Sequence, residues 1–296
     1  MKNNGKKTNG VRSTGFKRRL VIILTVAAVL TAYLYYGNTA VTVTRYDISS
    51  EKIPPDFDGF RIVQISDLHN SGNSVMKKSL ISKTANAKPD VILLTGDMVD
   101  SYFTDVSAAI SMIEKLNEIA PMYYVIGNHE ARTGESSNLI RRMRELGIGI
   151  LWNSYSIIRV GNDEIVIAGI NDPRLLNKDG TADDAAIARE SLGSLDYDRE
   201  MYTILLSHRP ELLNTYATYG IDLVFAGHAH GGLVRLPFIG GLYAPHQGLL
   251  PDYTGGVIYQ IADTSMIVSR GVGNSGDTFR INDNPELVVT VLHAGC

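Results

Sequence analysis

Residues 61–69 read RIVQISDLH and residues 91–97 read VILLTGD. Each is a short apolar run that stops abruptly on small and acidic residues. Runs of this length, bounded by turn formers, read as buried strands. Between them the spacing predicts a helix over 75–87, ended by Pro89. Val106, Ile110, Ile113 and Leu116 share a face of a helix predicted over 104–119. A third strand is expected from Met122 to Ile126 and another helix over 136–146. Beyond that, strands dominate, at 155–160, 164–170, 203–207, 222–226, 257–261, 266–269 and 287–292, interrupted by helices around 183–191 and 210–218. Strand–helix alternation followed by a strand-rich half implies an α/β core of two packed sheets covered by helices.

Composition bounds what the chain does. Its 296 residues are 44% hydrophobic and 20% charged, which suits a packed core and excludes general disorder. The single cysteine, Cys296, rules out an internal disulfide or a cysteine-built metal site. Residues 1–19 hold seven of the 28 basic residues and no acid, leaving 21 basic against 31 acidic residues in the remainder. An acidic body argues against a nucleic-acid partner.

Leu20 to Tyr36 reads LVIILTVAAVLTAYLYY, uncharged and closed by Tyr33, Tyr35 and Tyr36. That length and aromatic edge fit one membrane span. The expected organisation is a basic cytoplasmic tail over 1–19, a transmembrane anchor over 20–37, a linker over 38–57 and a folded domain over 58–296. A cleaved signal peptide and a buried core helix are the competing readings of the apolar run. The preceding basic cluster places the body outside the cytoplasm, in a single-pass arrangement in the bacterial cytoplasmic membrane.

The strand ends carry chemistry of one kind: Asp67-Leu68-His69, Gly96-Asp97, Gly127-Asn128-His129-Glu130, Ser207-His208 and Gly227-His228-Ala229-His230-Gly231-Gly232. Five of the seven histidines fall in these blocks. Sites of α/β folds lie at the carboxyl ends of strands. Carboxylate and imidazole together suit divalent transition metals, namely Mn, Fe, Zn, Co or Ni. In an extended strip the two side chains of Asp-x-His or His-x-His point the same way and reach one ion, and the flanking glycines allow close approach. So many donors exceed one tetrahedral ion; two ions about 3.5–4 Å apart and sharing a carboxylate would use them. Asp97 is the expected bridge, beside a hydroxide.

The whole series, Asp67-x-His69, Gly96-Asp97, Gly127-Asn128-His129-Glu130, His208 and Gly227-His228-x-His230, resembles the calcineurin-like metallophosphoesterase superfamily over roughly residues 58–294. Gly231-Gly232, Arg235-Leu236-Pro237 and the run Gly241 to Gly248 (GLYAPHQG) look like its bacterial membrane-associated branch, which includes phosphodiesterases and relatives of UDP-2,3-diacylglucosamine pyrophosphatases. Ala229 and Leu233 depart from that branch, where threonine and glutamine are frequent; neither is a ligand position, so the departure bears on substrate fit.

The resemblance implies a four-layer α/β/β/α sandwich of two mixed sheets after the N-terminal transmembrane helix. It implies that Asp67, His69, Asp97 and His230 hold one ion and Asp97, Asn128, His208 and His228 the other, while His129 faces the substrate. The expected reaction is hydrolysis of a phosphoric ester, a diester or pyrophosphate on a lipid, nucleotide or envelope phosphate. A metal-bridging hydroxide attacks, His129 acts as general acid, and Asp67 orients it. The alternatives are a phosphomonoesterase or protein phosphatase, and a metal-bearing scaffold without turnover. Arg132, Arg209 and Arg235 are candidate phosphate clamps, and Asn171-Asp172-Pro173-Arg174 a candidate wall of the site. Residues 233–256, apolar and rich in glycine and proline, read either as a lipophilic lip receiving a lipid-linked phosphate or as a loop packed on its own domain. Composition and motifs leave the oligomeric state open.

Overall fold

The computed structural model describes residues 10–71, 73–276 and 278–295. Residues 1–9 of the basic tail, and Cys296, lie outside them.

Two six-stranded mixed sheets form the centre. The first runs in the order Thr42–Ser50, Glu286–Ala294, Arg61–Ile65, Val91–Leu94, Met122–Tyr124, Gly149–Ile150. Its neighbours are parallel except for the antiparallel pair Glu286–Ala294 and Arg61–Ile65. The second runs Ile258–Ile261, Thr264–Val268, Leu223–Ala226, Thr203–Leu206, Asp163–Gly169, Ser154–Val160. There both outer pairs are antiparallel and the inner pairs parallel.

Strand alternation sorts side chains into layers. Ile62, Leu93, Ile167, Ile204 and Phe225 meet between the sheets. Val63, Ile65, Ile92 and Leu94 face the other way, against Ile110, Ile113, Leu139 and Met143 of the helices Val106–Asn117 and Ser136–Glu145. On the far side, Val166, Leu205 and Val224 pack against Leu192, Leu213 and Tyr216. The result is the four-layer α/β/β/α sandwich. Gln64 crosses between the sheets, donating from Nε2 to the Ala226 carbonyl at 2.8 Å and to Thr95 Oγ1 at 2.9 Å. Each bond satisfies a polar group that would otherwise be costly to bury.

The N-terminal helix Gly10–Thr39 is exposed along its apolar stretch, and from Gly15 it is long and apolar enough to cross a membrane. Residues 38–57, expected from the sequence to be a linker, are in large part packed into the fold. Thr42–Ser50 pairs in parallel with Glu286–Ala294 over nine residues, and Val41, Tyr46, Ile48, Ile53 and Phe57 are buried. The stretch is an edge strand with only part of one face apolar. Its alternation is too weak to read before its partner, more than two hundred residues away, is known.

Candidate metal centre

The strands Arg61–Ile65, Val91–Leu94, Thr203–Leu206 and Leu223–Ala226 all end within a few residues of a proposed ligand. Parallel neighbours therefore deliver Asp67, Asp97, His208 and His228 to one edge of the paired sheets. The backbone there is not extended, so the strip geometry expected for Asp-x-His and His-x-His is replaced by left-handed turns. Asp67, His69, Asp97, His228 and His230 have φ of 53°, 46°, 56°, 68° and 46°. Each such residue costs about 1–3 kcal/mol, and such strain concentrates where a site is held in place by its surroundings. Two glycines make the approach possible. A Cβ on Gly127 would lie 2.2 Å from Asp97 Oδ1, and one on Gly227 would lie 1.9 Å from Ser66 Oγ and 2.6 Å from Asp67 Oδ2.

The seven side chains named from the sequence converge. His230 Nε2 is 3.4 Å from Asp67 Oδ1 and 3.2 Å from His69 Nε2. His69 Nε2 is 3.8 Å from both Asp67 Oδ1 and Asp97 Oδ2. On the other side of Asp97, His208 Nε2 is 3.1 Å from Asp97 Oδ2 and 3.2 Å from Asn128 Oδ1. His228 completes that group, with donor atoms of Asp97, His208 and His228 within 4.8 Å of one another. All seven are buried. Asp97 groups with His208 and His228 on one side and with His69 and His129 on the other, while Asp67, His69 and His230 form a group of their own. Carboxylates, imidazoles and an amide oxygen in such clusters fit divalent metal binding in chemistry. His208 Nδ1 lies 2.7 Å from the Thr95 carbonyl, which only accepts, so Nδ1 carries a proton and Nε2 is the atom turned to Asp97, free to bind an ion once its own proton is lost. His228 Nδ1 is buried without a hydrogen-bond partner among the described residues, while its Nε2 lies 2.9 Å from His246 Nδ1.

The charges at the site reflect the same crowding. Burial disfavours charge on His69, but the Asp100 and Asp67 carboxylates overcome it and push the imidazole up to about 9. Asp97 likewise overcomes burial at His208 and lifts it to about 10. At Asp67 burial is outweighed by His230, His69 and His208, which bring the carboxyl down to about 2. His228, by contrast, is pushed well down by burial and by Arg209.

His129 is the second residue of the short helix Asn128–Arg132, and its amide donates to Asp97 Oδ1 at 2.8 Å. Its ring is not oriented by Asp67, the expected partner. Nδ1 accepts from the Ser101 amide at 3.0 Å, and Nε2 lies 3.3 Å from Ser275 Oγ. Asp67 instead accepts from the His228 amide. A backbone N–H can only donate, so the neutral ring carries its proton on Nε2. Burial also pushes His129 below the ordinary imidazole value, with Asp97 and Asp100 opposing only in part.

Sequence reasoning missed several supporting groups. Glu130 is wholly buried and accepts from the amides of Asp97 at 2.8 Å, Gly127 at 2.9 Å and Val99 at 2.9 Å, locking two ligand loops together. The signal was present, because a glutamate three residues past a helix-starting glycine is half of a capping box. Ser101, Ser275 and Arg280 come from distant loops and carried no local signal, while His246 stood in the GLYAPHQG run, which was read as a family mark and not as part of the site. Arg280 is fully buried, donates to the Gly273 carbonyl and stands 3.5 Å from His230 Nδ1.

Two of the three expected phosphate clamps serve structure. Arg209 is buried and grips Asp172 in a bidentate pair, which also takes up the Asn171–Arg174 segment. Arg235 donates to the carbonyls of Gly231, Thr254 and Gly255. Arg132 does line the cleft over the cluster, a space of about 210 Å³ also bounded by His129, Tyr102, Leu233, Tyr243 and Pro245. A roomier cavity of about 740 Å³ lies elsewhere, beside the ion pair of Lys52 and Asp222, and holds none of these groups.

The profile of the calcineurin-like phosphoesterase family matches residues 60–232. The chain belongs to that family. As a calcineurin-like phosphoesterase it is a metal-dependent hydrolase of phosphoesters. It is 32% identical to the metallophosphoesterase YkuE of Bacillus subtilis, over 87% of each chain. It is 29% identical to the phosphodiesterase YaeI of Escherichia coli, over 79% of this chain and 82% of that one. A transmembrane protein with a metallophosphoesterase domain from Danio rerio is 28% identical over 95% of this chain and 64% of its own length.

Proposed function

We propose that this phosphoesterase cleaves a phosphodiester or pyrophosphate bond at a two-ion centre on the outer side of a bacterial cytoplasmic membrane. Asp67, His69, Asp97 and His230 would hold one ion; Asp97, Asn128, His208 and His228 would hold the other. The observation that carries this reading is Asp97, whose Oδ2 lies between His208 Nε2 at 3.1 Å and His69 Nε2 at 3.8 Å. Bound ions supply Lewis-acid charge and make water acidic enough to attack at neutral pH.

The chain's own groups do the rest. Glu130 and Thr95 fix the ligand loops and the His208 tautomer. His129 presents an Nε2 proton to the cleft. Its Nδ1 is occupied by an amide donor and its ring is held neutral, which favours a hydrogen-bond donor to the phosphoryl or leaving oxygen over a cationic general acid. Arg132 adds positive charge at the cleft wall. Tyr102, Leu233, Tyr243 and Pro245 give that wall an apolar side suited to a lipid-linked phosphate. The basic residues before the span favour an outward-facing domain. The substrate is then an envelope phosphoester rather than a nucleotide-linked lipid of the cytoplasmic leaflet.

Purified full-length protein, metal-loaded and assayed on bis-p-nitrophenyl phosphate and p-nitrophenyl phosphate, tests the reaction. Metal-dependent cleavage of the diester is expected. Turnover of the monoester alone would make it a phosphomonoesterase, and two bound ions without any hydrolysis would make it a scaffold. Protection of the domain from protease added to cells with a permeable outer envelope would reverse the orientation.

A further inference from the structure

We infer that the loop layer of residues 233–250, together with Phe279, is a second membrane-docking surface that lies against the bilayer holding the N-terminal helix. The inference rests on reading that helix as a membrane span, and it does not depend on the substrate.

The helix does not leave the domain on a free tether. Its apolar run ends at Tyr36, and Asn38 is locked to the loop before the last strand. Asn38 Nδ2 donates to the Arg280 carbonyl at 3.0 Å, and Asn38 Oδ1 accepts from the Arg280 amide and from Asn274 Nδ2, both at 2.9 Å. At a rise of about 1.5 Å per residue, Asn38 lies roughly 3 Å beyond the apolar run. Arg280 is therefore at the bilayer boundary.

Phe279, next in the chain, is 70% exposed. Ile281 on the other side donates to the Leu233 carbonyl and accepts from the Arg235 amide, each at 3.0 Å, so the 233–250 loops start from this point. They turn outward with Leu236, Phe238, Ile239, Leu249 and Leu250 exposed, Phe238 completely. From Leu233 to Pro251 there is no acidic residue, and the one arginine, Arg235, is tied to backbone carbonyls. Clustered exposed apolar side chains without acids fit poorly in water and well in a headgroup and acyl boundary. Continuity with the span makes the bilayer the occupant. The cleft wall shares Leu233, Tyr243 and Pro245 with this layer, so docking sets the cleft mouth at the membrane surface.

Fluorescence of full-length protein in proteoliposomes tests this. The only tryptophan, Trp152, is half-exposed and follows the last strand of the first sheet, whereas the anchor joins through the first, at the opposite edge. Five strand spacings place these edges about 25 Å apart, so wild-type emission is the reference. Phe238→Trp in a Trp152→Phe background should lose several-fold more emission than wild type when phosphatidylcholine is replaced by its acyl-dibrominated form. Equal quenching of the two would overturn the proposal. So would emission shielded from both brominated lipid and aqueous iodide, because protein then covers the face. Carbonate extraction separates the premises: protein that stays in the membrane but shows no selective quenching defeats docking alone, and protein that is extracted defeats the anchor as well.

Discussion

Nε2 of His228 lies 2.9 Å from Nδ1 of His246, while Nδ1 of His228 is buried and unpartnered among the described residues. If Nδ1 is the metal-binding atom, the proton must sit on Nε2, where His246 accepts it. A partner of this kind typically contributes 10–100-fold in metal affinity, as an order of magnitude. His246→Ala should therefore weaken binding of one of two ions by roughly that factor. His246→Gln, which keeps an acceptor, should recover part of it. Calorimetric titration with Mn or Zn reads both, and unchanged affinity in the alanine variant would remove His246 from the site.

Asp97 lies beside His208 on one side and His69 on the other, and its Oδ1 also accepts from the His129 amide. Asp97→Asn removes the shared negative charge while nearly keeping the shape. Elemental analysis should find both ions lost and activity absent; full metal content would refute the bridge.

Glu130 takes three backbone amides with one buried carboxylate. Glu130→Gln turns an acceptor into a donor facing N–H groups, at a cost of about 2 kcal/mol. For a domain of this size the melting temperature should fall by about 4–8 °C. Metal content should fall with it, because the amides of Asp97 and Gly127 lose their common anchor. A variant that melts and loads like wild type would reduce Glu130 to a bystander.

His129→Ala should keep the ions and lower kcat by roughly 10²–10³-fold, the usual loss for one well-placed donor. A drop in metal content would make His129 a ligand.

Metal uptake should release protons. In the metal-free chain His69 and His208 hold theirs up to about 9 and 10, against the opposing effect of burial. Both must be deprotonated to bind. Below pH 9 each displaced proton makes apparent affinity rise by about tenfold per pH unit, and the rise flattens above pH 10. Calorimetry in buffers of different ionisation enthalpy counts the protons, and a buffer-independent heat would contradict the prediction.

The family and the class of reaction were legible in short stretches of sequence. Buried strands announce themselves by apolar runs, and the polar blocks after them contain the seven converging side chains, which the family resemblance singled out from their neighbours. Element order likewise dictated the layered sandwich, since each amphipathic face has few ways to be covered. Other features exist only between distant parts of the chain. Thr42–Ser50 is a strand because Glu286–Ala294 lies beside it. Arg209 is structural because Asp172 meets it, and His246 matters because a loop folds it onto His228. Left-handed backbone at five of the seven side chains is likewise invisible in residue types, because the surrounding fold imposes it against local preference. Local free energies are written in the sequence at short range; long-range pairings and strain are settled only when the whole chain closes.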